Sequence, residues 1–434
     1  MASKLRGFVL VAALLGAVGC FDSIPDDTLT PKDRGNLEGR VLDKCNNAPV
    51  AGASVAVEGQ PAVTTSDDGR YRFDNLEPGP QTVSVSRAGF VSSQPQVIVP
   101  EGNTLTLDIQ LLRNNPGGPL AKKLDVLFVI DNSGSMGEEQ AALTNAFSGF
   151  LDTISALFSD VHVGVISTDL GAGTYGLPSC ERQGGDGGKL QNVSRVGGCQ
   201  APSDPWIDIQ SGKAANTNGE SAADVFTCIA RLGTSGCGFE QPLESMQRAL
   251  SAGANPGFLR DDAFLAVIVV SDEDDCSASD GKLFDPSQQA LSDPLGPLTS
   301  FRCFEFGVKC DETGRDAGPR ANCKPAEDGK WTRPVSEYVQ FLEQLKPRGS
   351  VFFGLIGGPT TRVEVGADGN NPVLRASCSS ASGVAVPAIR LEALAKAINI
   401  NLSAPPVYSI CDDKLPLSAL AQQLLVAASG QTCN

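Results

Sequence analysis

The chain has 434 residues, and its 50 acidic and 34 basic side chains give a formal net charge of -16 at pH 7. This surplus of negative charge argues against nucleic acid and anionic lipid surfaces as partners and favours cations or basic partners, although solubility alone accounts for it. The 13 cysteines include no Cys-x-x-Cys pair, and His162 is the only histidine. A Cys/His zinc site is therefore not expected. A histidine-based catalytic triad is also disfavoured, because His162 lies in the strand-like run Val161–Ile166, where a histidine is more often structural.

Residues 1–19 predict a cleaved signal peptide, because a basic start precedes an apolar run, Phe8–Val18, that is too short to span a bilayer. The small residues before Cys20 resemble a bacterial lipobox, in which cleavage precedes a cysteine that is then diacylated. Ala17 departs from the Leu that this motif prefers. The resemblance implies a lipid on Cys20 as the membrane attachment. Phe21 is not the aspartate associated with inner-membrane retention, so the outer membrane is the expected location.

Residues 20–34 are rich in Asp, Pro and Thr and predict a flexible tether. Residues 35–113 contain short runs of alternating apolar and polar side chains between turn signals, which predicts a small all-β sandwich. The predicted strands are Leu37–Leu42, Ala53–Val57, Arg70–Phe73, Gln81–Val85 and Thr104–Ile109. The run Thr65–Phe73 and the turn Leu76–Gly79 resemble the carboxypeptidase regulatory-like, transthyretin-like family. That resemblance implies a non-catalytic spacer or fold-stabilising module.

A linker rich in Pro and Gly, residues 114–121, precedes residues 122–434, in which strands alternate with helices. The alternation predicts an α/β domain with a doubly wound, mainly parallel sheet. Two long irregular stretches, Gly171–Gly219 and Asp272–Lys330, interrupt it, and loops of that length are often functional. The predicted strands are Leu124–Ile130, Val161–Ile166, Phe264–Val270, Val351–Ile356 and Val407–Ile410, and the predicted helices are Ala141–Phe158, Gln241–Leu250, Val335–Leu345, Ala388–Ile398 and Leu415–Ala428.

The strand Leu124–Ile130 is followed directly by Asp131, and Ser133 and Ser135 follow at a spacing of two residues. Ligands of open α/β sheets bind at the carboxyl ends of the strands, so this carboxylate and both hydroxyls are expected to meet there. Donors that are all oxygen suit Mg²⁺, Mn²⁺ or Ca²⁺.

This Asp-x-Ser-x-Ser motif resembles the metal-ion-dependent adhesion site of the von Willebrand factor type A family, whose signature adds a distant Thr and a distant Asp. The best matches to these two positions are Thr234, before a predicted helix, and Asp272, at the end of a predicted strand. The resemblance covers residues 122–434. It implies a Mg²⁺ site, with Ca²⁺ or Mn²⁺ as alternatives, in which the two serine hydroxyls bind the ion directly and the two aspartates act through bound waters. One coordination position is left for an acidic side chain of a protein partner.

Three assignments stay open at this level. Ser135 could cap the following helix, and Thr227 or Ser235 could take the place of Thr234. The acidic run Asp272–Asp275 could hold a second cation, but a solvated charged rim is favoured, because the run lacks the glycine and terminal glutamate of an EF-hand loop.

The twelve cysteines besides Cys20 predict disulfides in an exported protein. Cys45 is alone in its region, so either it bridges to the second region or one thiol is free; the connectivity cannot be deduced. Disulfides are expected to stabilise the rim of the cation site. The eleven cysteines of the second region are Cys180, Cys199, Cys228, Cys237, Cys276, Cys303, Cys310, Cys323, Cys378, Cys411 and Cys433.

Together these features predict a lipid-anchored, extracytoplasmic binding or adhesion protein of the bacterial envelope, rather than an enzyme. The alternatives are an envelope assembly scaffold without metal-dependent binding, or an accessory subunit of a hydrolase. Catalysis is disfavoured because no His-Glu motif occurs and the cation site lacks an obvious general base.

Overall fold

The computed structural model describes residues 34–43, 48–111 except 91, and 122–429 except 179, 181, 194, 196, 198, 348, 382, 401 and 403. The predicted signal peptide, nearly all of the tether and the linker lie outside the described residues, as do Cys20, Cys45 and Cys433. No helix in the described part of the chain is both long enough and apolar enough to cross a bilayer.

The N-terminal region consists of short strands, as the alternating pattern predicts. They are β1 (Gly35–Asp43), β2 (Ser54–Val57), β3 (Val63–Thr64), β4 (Arg70–Leu76), β5 (Gly79–Ser86), β6 (Gln96–Val99), β7 (Thr104–Thr106) and β8 (Ile109–Leu111). One sheet has β1 between antiparallel β4 and the parallel strands β7 and β8. The other sheet is antiparallel, in the order β3-β2-β5-β6.

One apolar core joins the two sheets. Tyr71 and Phe73 alternate inward on β4, and the Tyr71 hydroxyl donates to the carbonyl of Leu107 at 2.7 Å. The predicted single strand Thr104–Ile109 is in fact two strands, broken at Leu107 and the residue after it. The break lies against Gly39, where a Cβ atom would overlap the Leu107 carbonyl, so the glycine is required by this close approach.

A seven-stranded sheet organises the second region. Its strands, with the short strands of the connecting loops, are β9 (Lys122–Ile130), β10 (Phe158–Ser167), β11 (Ile207–Gln210), β12 (Lys213–Ala214), β13 (Ala263–Val270), β14 (Val308–Lys309), β15 (Gly318–Pro319), β16 (Lys324–Pro325), β17 (Val351–Gly357), β18 (Glu364–Asp368), β19 (Asn371–Leu374), β20 (Cys378–Ser380), β21 (Gly383–Ala385) and β22 (Val407–Ser409). The order is β12-β11-β10-β9-β13-β17-β22. The neighbouring strands β10, β9, β13, β17 and β22 pair in parallel. Strands β11 and β12 pair antiparallel at the β10 edge, so the sheet is mixed.

Helices cover both faces of this sheet. They are α1 (Gly137–Ile154), α2 (Ala222–Ala230), α3 (Pro242–Leu250), α4 (Phe301–Gly307), α5 (Val335–Leu345), α6 (Ile389–Ile398) and α7 (Leu417–Ser429). Alternate residues of β9 face opposite layers. Val126, Phe128 and Ile130 pack with α1, α2 and α7, whereas Leu127 and Val129 pack with α3, α5 and α6. Every residue of β9 from Leu124 to Ile130 is therefore buried, as its continuous apolar run predicts.

The predicted helices agree with the observed ones within two residues except at α1, and two observed helices, α2 and α4, were not predicted. Helix α1 begins at Gly137 rather than Ala141 and ends at Ile154, because Phe158 already belongs to β10. Helix α2 was not predicted, although its start carries a recognisable signal. The Ser221 hydroxyl accepts a hydrogen bond from the Asp224 backbone N–H at 3.1 Å, which is a standard N-cap.

Five disulfides are present in the described part of the chain, as the cysteine content predicts. They join Cys180–Cys237, Cys199–Cys228, Cys276–Cys303, Cys310–Cys323 and Cys378–Cys411. The two long irregular stretches contain only short elements, so these cross-links fix loops that a hydrophobic core alone would leave weakly constrained.

Candidate metal centre

The carboxyl ends of β9, β10 and β13 meet at one edge of the sheet because the three strands are parallel neighbours. Asp131 follows β9, and its backbone N–H donates to the carbonyl of Val270 on β13 at 3.0 Å. Thr168 follows β10, and its N–H donates to the carbonyl of Ile130 at 3.3 Å. Asp272 lies two residues beyond β13. The strand ends thus place one carboxylate from β9 and one from β13 at the same edge.

The loop after β9 is organised around Asp131, which is fully buried. The Ser133 backbone N–H donates to Asp131 Oδ1 at 2.8 Å, and the Ser271 hydroxyl donates to Oδ2 at 2.7 Å. The Ser133 and Ser135 hydroxyl oxygens lie 3.2 Å apart. Ser133 is buried and Ser135 is exposed. The motif therefore brings both hydroxyls together in the loop after Asp131. One hydrogen bond to each oxygen of Asp131 fixes the orientation of its carboxylate.

Asp272 joins the same group of side chains. It is 4% exposed, the nearby Ser135 side chain acts to lower its pKa, and its Oδ1 atom has no hydrogen-bond partner among the described residues. Four of the predicted residues, Asp131, Ser133, Ser135 and Asp272, are thus connected by direct contacts or by mutual electrostatic interaction.

Thr234 lies in a loop that is held against this edge. The Gln140 side-chain amide donates to the carbonyls of Asp131 and Gly233, at 2.9 Å each, and accepts from the Gly233 N–H at 3.2 Å. Thr234 is exposed, and its Cγ2 atom lies 3.8 Å from the position a Cβ on Gly137 would take. The loop is therefore beside the start of α1, and Thr234 lies at the outer side of the candidate centre.

Ser135 does not cap α1. The helix has Met136 at its N-cap position, without a side-chain hydrogen bond to the first turn. The hydroxyl of Ser135 contacts Ser133 and Asp272 instead.

The sequence did not reveal two glutamates near this edge, Glu139 and Glu240; a third, Glu273, was considered only as part of the acidic run Asp272–Asp275. Glu139 and Glu240 are 3% and 1% exposed, although charged residues near helix starts are usually read as solvated. The Glu240 carboxyl lies against that of Asp131, and the Thr168 hydroxyl donates to its other oxygen. No pattern in the sequence marks Glu240 as buried.

Burial and mutual repulsion act on all of these carboxyl groups. Burial raises the pKa of Asp131, and burial followed by repulsion from Asp131 raises the pKa of Glu240 well above its usual value. The same two causes, in the same order, raise the pKa of Asp272 to about 7 and that of Glu273 to about 8. The charges that act on Glu240, Asp272 and Glu273 are those of other carboxylates, so repulsion dominates the electrostatics of these three groups.

The donor set fits a hard divalent cation. Asp272 Oδ1, Glu139 Oε2 and Asn132 Oδ1 are buried oxygens without a hydrogen-bond partner in the described part of the chain, and each such atom is costly in a folded protein. A cation would both coordinate oxygens and offset the repulsion among the carboxylates. Ligands that are all oxygen suit Mg²⁺, Ca²⁺ or Mn²⁺ and do not suit a soft metal.

The favoured prediction for Asp272–Asp275, a solvated charged rim, was wrong. Asp275 is fully buried and pairs with the fully buried guanidinium of Arg390 at 3.0 Å. Asp274 accepts hydrogen bonds from the Arg390 and Leu391 backbone N–H groups and so caps α6. The first two residues of the run, Asp272 and Glu273, belong to the carboxylate cluster, whereas Asp274 and Asp275 make structural contacts with the start of α6.

Two disulfides flank the candidate centre. Cys237, three residues after Thr234, is bonded to Cys180, and Cys276, four residues after Asp272, is bonded to Cys303. Each therefore restricts a loop that carries a predicted ligand, in agreement with the expectation that disulfides stabilise this rim.

Comparison with known proteins identifies the first domain. The family model for the carboxypeptidase regulatory-like domain matches residues 36–112, so the predicted family of this segment is confirmed. No curated protein matches the chain.

Several solved structures are similar over short stretches. The Bacillus anthracis TIE protein is 24% identical over 22% of this chain and 19% of its own, with a TM-score of 0.18. A streptococcal ancillary pilin is 22% identical over 20% of this chain and 30% of its own, with a TM-score of 0.17. GBS52, the minor pilin of Streptococcus agalactiae, is 16% identical over 20% of this chain and 48% of its own, with a TM-score of 0.18. This chain thus spans less than half the length of each, and no functional inference is drawn from them.

Proposed function

We propose that this protein is a lipid-anchored binding protein of the bacterial cell envelope, which holds a protein partner through a divalent cation. The cation is Mg²⁺, or alternatively Ca²⁺ or Mn²⁺, and its ligands come from Asp131, Ser133, Ser135, Thr234 and Asp272. The observation that carries this proposal is the group of buried, mutually repelling carboxylates around two hydroxyls at the carboxyl edge of the sheet.

The resemblance of residues 122–434 to the von Willebrand factor type A family supports the same proposal. A sheet with helices on both faces and a candidate site at its carboxyl edge is compatible with that family, and ligand binding at this edge is general for open α/β sheets. Fold similarity alone does not specify function, so the proposal depends on the chemistry of the site residues.

The chemistry of the site favours an acidic group on the partner. Asp131 is already hydrogen-bonded by Ser133 and Ser271, so it stabilises the ion chiefly through its charge, while the hydroxyls of Ser133 and Ser135 are neutral ligands. A hard cation with neutral direct ligands attracts a carboxylate from outside. Ser135 and Thr234 are the exposed members of the set, and they mark the side from which a partner approaches.

We propose binding rather than catalysis, since the carboxylates here serve the cation and none is assigned to proton transfer. The regulatory-like domain at residues 36–112 then serves as a spacer between the lipid on Cys20 and the binding domain. A scaffold without metal-dependent binding and an accessory subunit of a hydrolase are the alternatives that the experiments below distinguish.

The first experiment measures cation binding directly. Isothermal titration of the full chain with Mn²⁺ or Mg²⁺ should give one site that Asp131→Asn and Ser133→Ala each remove. Asp328→Asn, which alters an exposed carboxylate elsewhere, is the matched control and should bind normally. Unchanged binding in Asp131→Asn would contradict the assigned site.

The second experiment tests the partner. Affinity capture from an envelope extract, in Mg²⁺ or in chelator, should recover a protein that is lost in chelator and with Asp131→Asn, but retained with Asp328→Asn. Capture that is insensitive to chelator would favour the scaffold. Substrate turnover by the captured complex, absent from either part alone, would favour the hydrolase subunit.

A further inference from the structure

A second cluster of metal-ligating side chains lies near the beginning of β10, far from the candidate metal centre. Asp160 and His162 share one face of β10, and Asp208 on the antiparallel strand β11 is the register partner of His162. One ligand atom from each of the three residues lies within 4.8 Å of the others. Along β10, His162 is six residues before Thr168, a distance of about 20 Å in an extended strand.

The imidazole of His162 is held in an orientation suited to metal binding. Nδ1 lies 3.0 Å from the carbonyl oxygen of Phe258, so Nδ1 carries the proton and donates it. In a neutral ring this tautomer has its lone pair on Nε2, which is the form of histidine that binds a metal. The ring also packs against Trp206, with 5.1 Å between ring centroids, and the residue is only 9% exposed.

Each carboxylate keeps one oxygen available. Asp160 Oδ1 accepts from Arg260 and from the Gln210 amide, and Asp208 Oδ1 accepts from the same amide at 2.8 Å. The Oδ2 atom of each has no partner among the residues that the structure describes. Both carboxylates are half-buried, so the available oxygens are accessible to an ion from solvent.

The net charge of the surrounding side chains is compatible with a bound divalent ion. Asp125, the register partner of His162 on β9, and Asp160 share the guanidinium of Arg260. The ammonium of Lys346 also acts on Asp125, so the three carboxylates of Asp125, Asp160 and Asp208 face two cationic side chains, and one negative charge is left over. A divalent ion bound by Asp160 and Asp208 would offset it.

We propose that Asp160, His162 and Asp208 form a site for a transition-metal ion of the Zn²⁺ class. One imidazole nitrogen and two carboxylate oxygens are typical zinc ligands, with a water in the fourth position of a tetrahedron. This set differs in chemistry from the oxygen-only set near Asp131, because imidazole favours Zn²⁺ over Mg²⁺. The bound ion ties β10 to β11 and so fixes the short antiparallel edge of the sheet.

The full chain is titrated with Zn²⁺ in competition with a chromophoric chelator, and with Co²⁺, whose visible absorption reports tetrahedral coordination. We expect one equivalent to bind, and His162→Gln and Asp208→Asn each to weaken binding by tenfold or more, since each removes a ligand. Asp131→Asn should bind Zn²⁺ like the unaltered chain, which separates this site from the one proposed for Mg²⁺. Circular dichroism checks that each variant is folded.

A second readout uses the single histidine directly. Because His162 is the only imidazole in the chain, its ¹⁵N spectrum contains one ring, and Zn²⁺ should shift Nε2 while Nδ1 keeps its proton. Absence of Zn²⁺ binding by the folded chain, or equal affinity in His162→Gln, would show that His162 is only a packed core histidine and overturn the proposal.

Discussion

The carboxyl group of Glu240 lies against that of Asp131 inside the protein, with the Thr168 hydroxyl on the opposite oxygen of Glu240. Glu240 Oε1 accepts no hydrogen bond from a donor of the described chain. A proton on Glu240 satisfies this arrangement, because the group can then donate to Asp131. Glu240 thereby stabilises the carboxylate on which the candidate metal centre is built.

Glu240→Gln should therefore be tolerated, since an amide N–H can replace the proton-bearing oxygen. The free energy of unfolding should change by less than about 1 kcal/mol. Glu240→Leu has a similar volume but leaves Asp131 and Thr168 without that partner, and should cost about 2–3 kcal/mol. Urea denaturation of the two variants measures the difference, and equal stabilities would contradict this arrangement.

Asp272→Asn should have opposite effects on stability and on function. In chelator the change removes one of several repelling carboxylates, so the variant should be more stable than the unaltered chain by about 1 kcal/mol. Addition of Mg²⁺ should raise the melting temperature of the unaltered chain and leave that of Asp272→Asn nearly unchanged. Thermal denaturation with and without Mg²⁺ tests both statements, and a destabilised Asp272→Asn in chelator would argue against charge repulsion at this edge.

Replacing Cys180 and Cys237 together by serine should affect both stability and cation affinity. The bond closes a loop with a sequence separation of 57 residues, so its removal should cost about 4 kcal/mol by chain entropy. Because Cys237 follows Thr234 closely, the loop that carries Thr234 should also become less ordered, and the protein should bind the cation more weakly.

The matched control is the double serine replacement of Cys310 and Cys323, whose sequence separation is 13 residues. Its loss should cost about 3 kcal/mol and leave cation affinity unchanged, because neither cysteine lies in a loop that carries a predicted ligand. Calorimetric titration and urea denaturation of both double variants separate the two effects. Equal cation affinity in the two would remove the role assigned to the first bond.

Asp275→Ala should be among the most damaging single changes away from the candidate site. It leaves the guanidinium of Arg390, which is fully buried, without its carboxylate partner, and that should cost about 3–5 kcal/mol. Asp328→Ala breaks the exposed pair with Lys309 and should cost less than about 1 kcal/mol. Denaturation of the two variants compares them, and a small effect of Asp275→Ala would mean that Arg390 is solvated in solution.

Cys20→Ser should move the protein from the membrane fraction to the soluble fraction of the envelope. The lipid is proposed as the membrane attachment, and burial of an acyl chain contributes about 0.8 kcal/mol per CH₂ group. Fractionation with immunoblotting, and labelling with a radioactive fatty acid, measure the change. Retention of Cys20→Ser in the membrane would indicate another attachment.

Much of the architecture followed from periodicity. Continuous apolar runs predicted the buried parallel strands β9, β13 and β17, and alternation predicted the small β domain, because burial on two faces or one face selects those patterns. Helix α2 was not predicted despite its Ser221 cap. The break between β7 and β8 was also not predicted, because it depends on the close approach of Leu107 to Gly39, which is distant in the sequence.

The sequence alone determined the Asp-x-Ser-x-Ser loop, since three ligands within five residues need only a strand that ends before Asp131. The resemblance to the von Willebrand factor type A family also indicated Asp272, at the end of a predicted strand, and the structure places that strand beside β9. Only the tertiary structure decided that Glu240 is buried against Asp131, that Asp275 serves Arg390, and that His162 faces Asp208. Those outcomes depend on which strands and loops become neighbours, and a local pattern of residues carries no information about such long-range contacts.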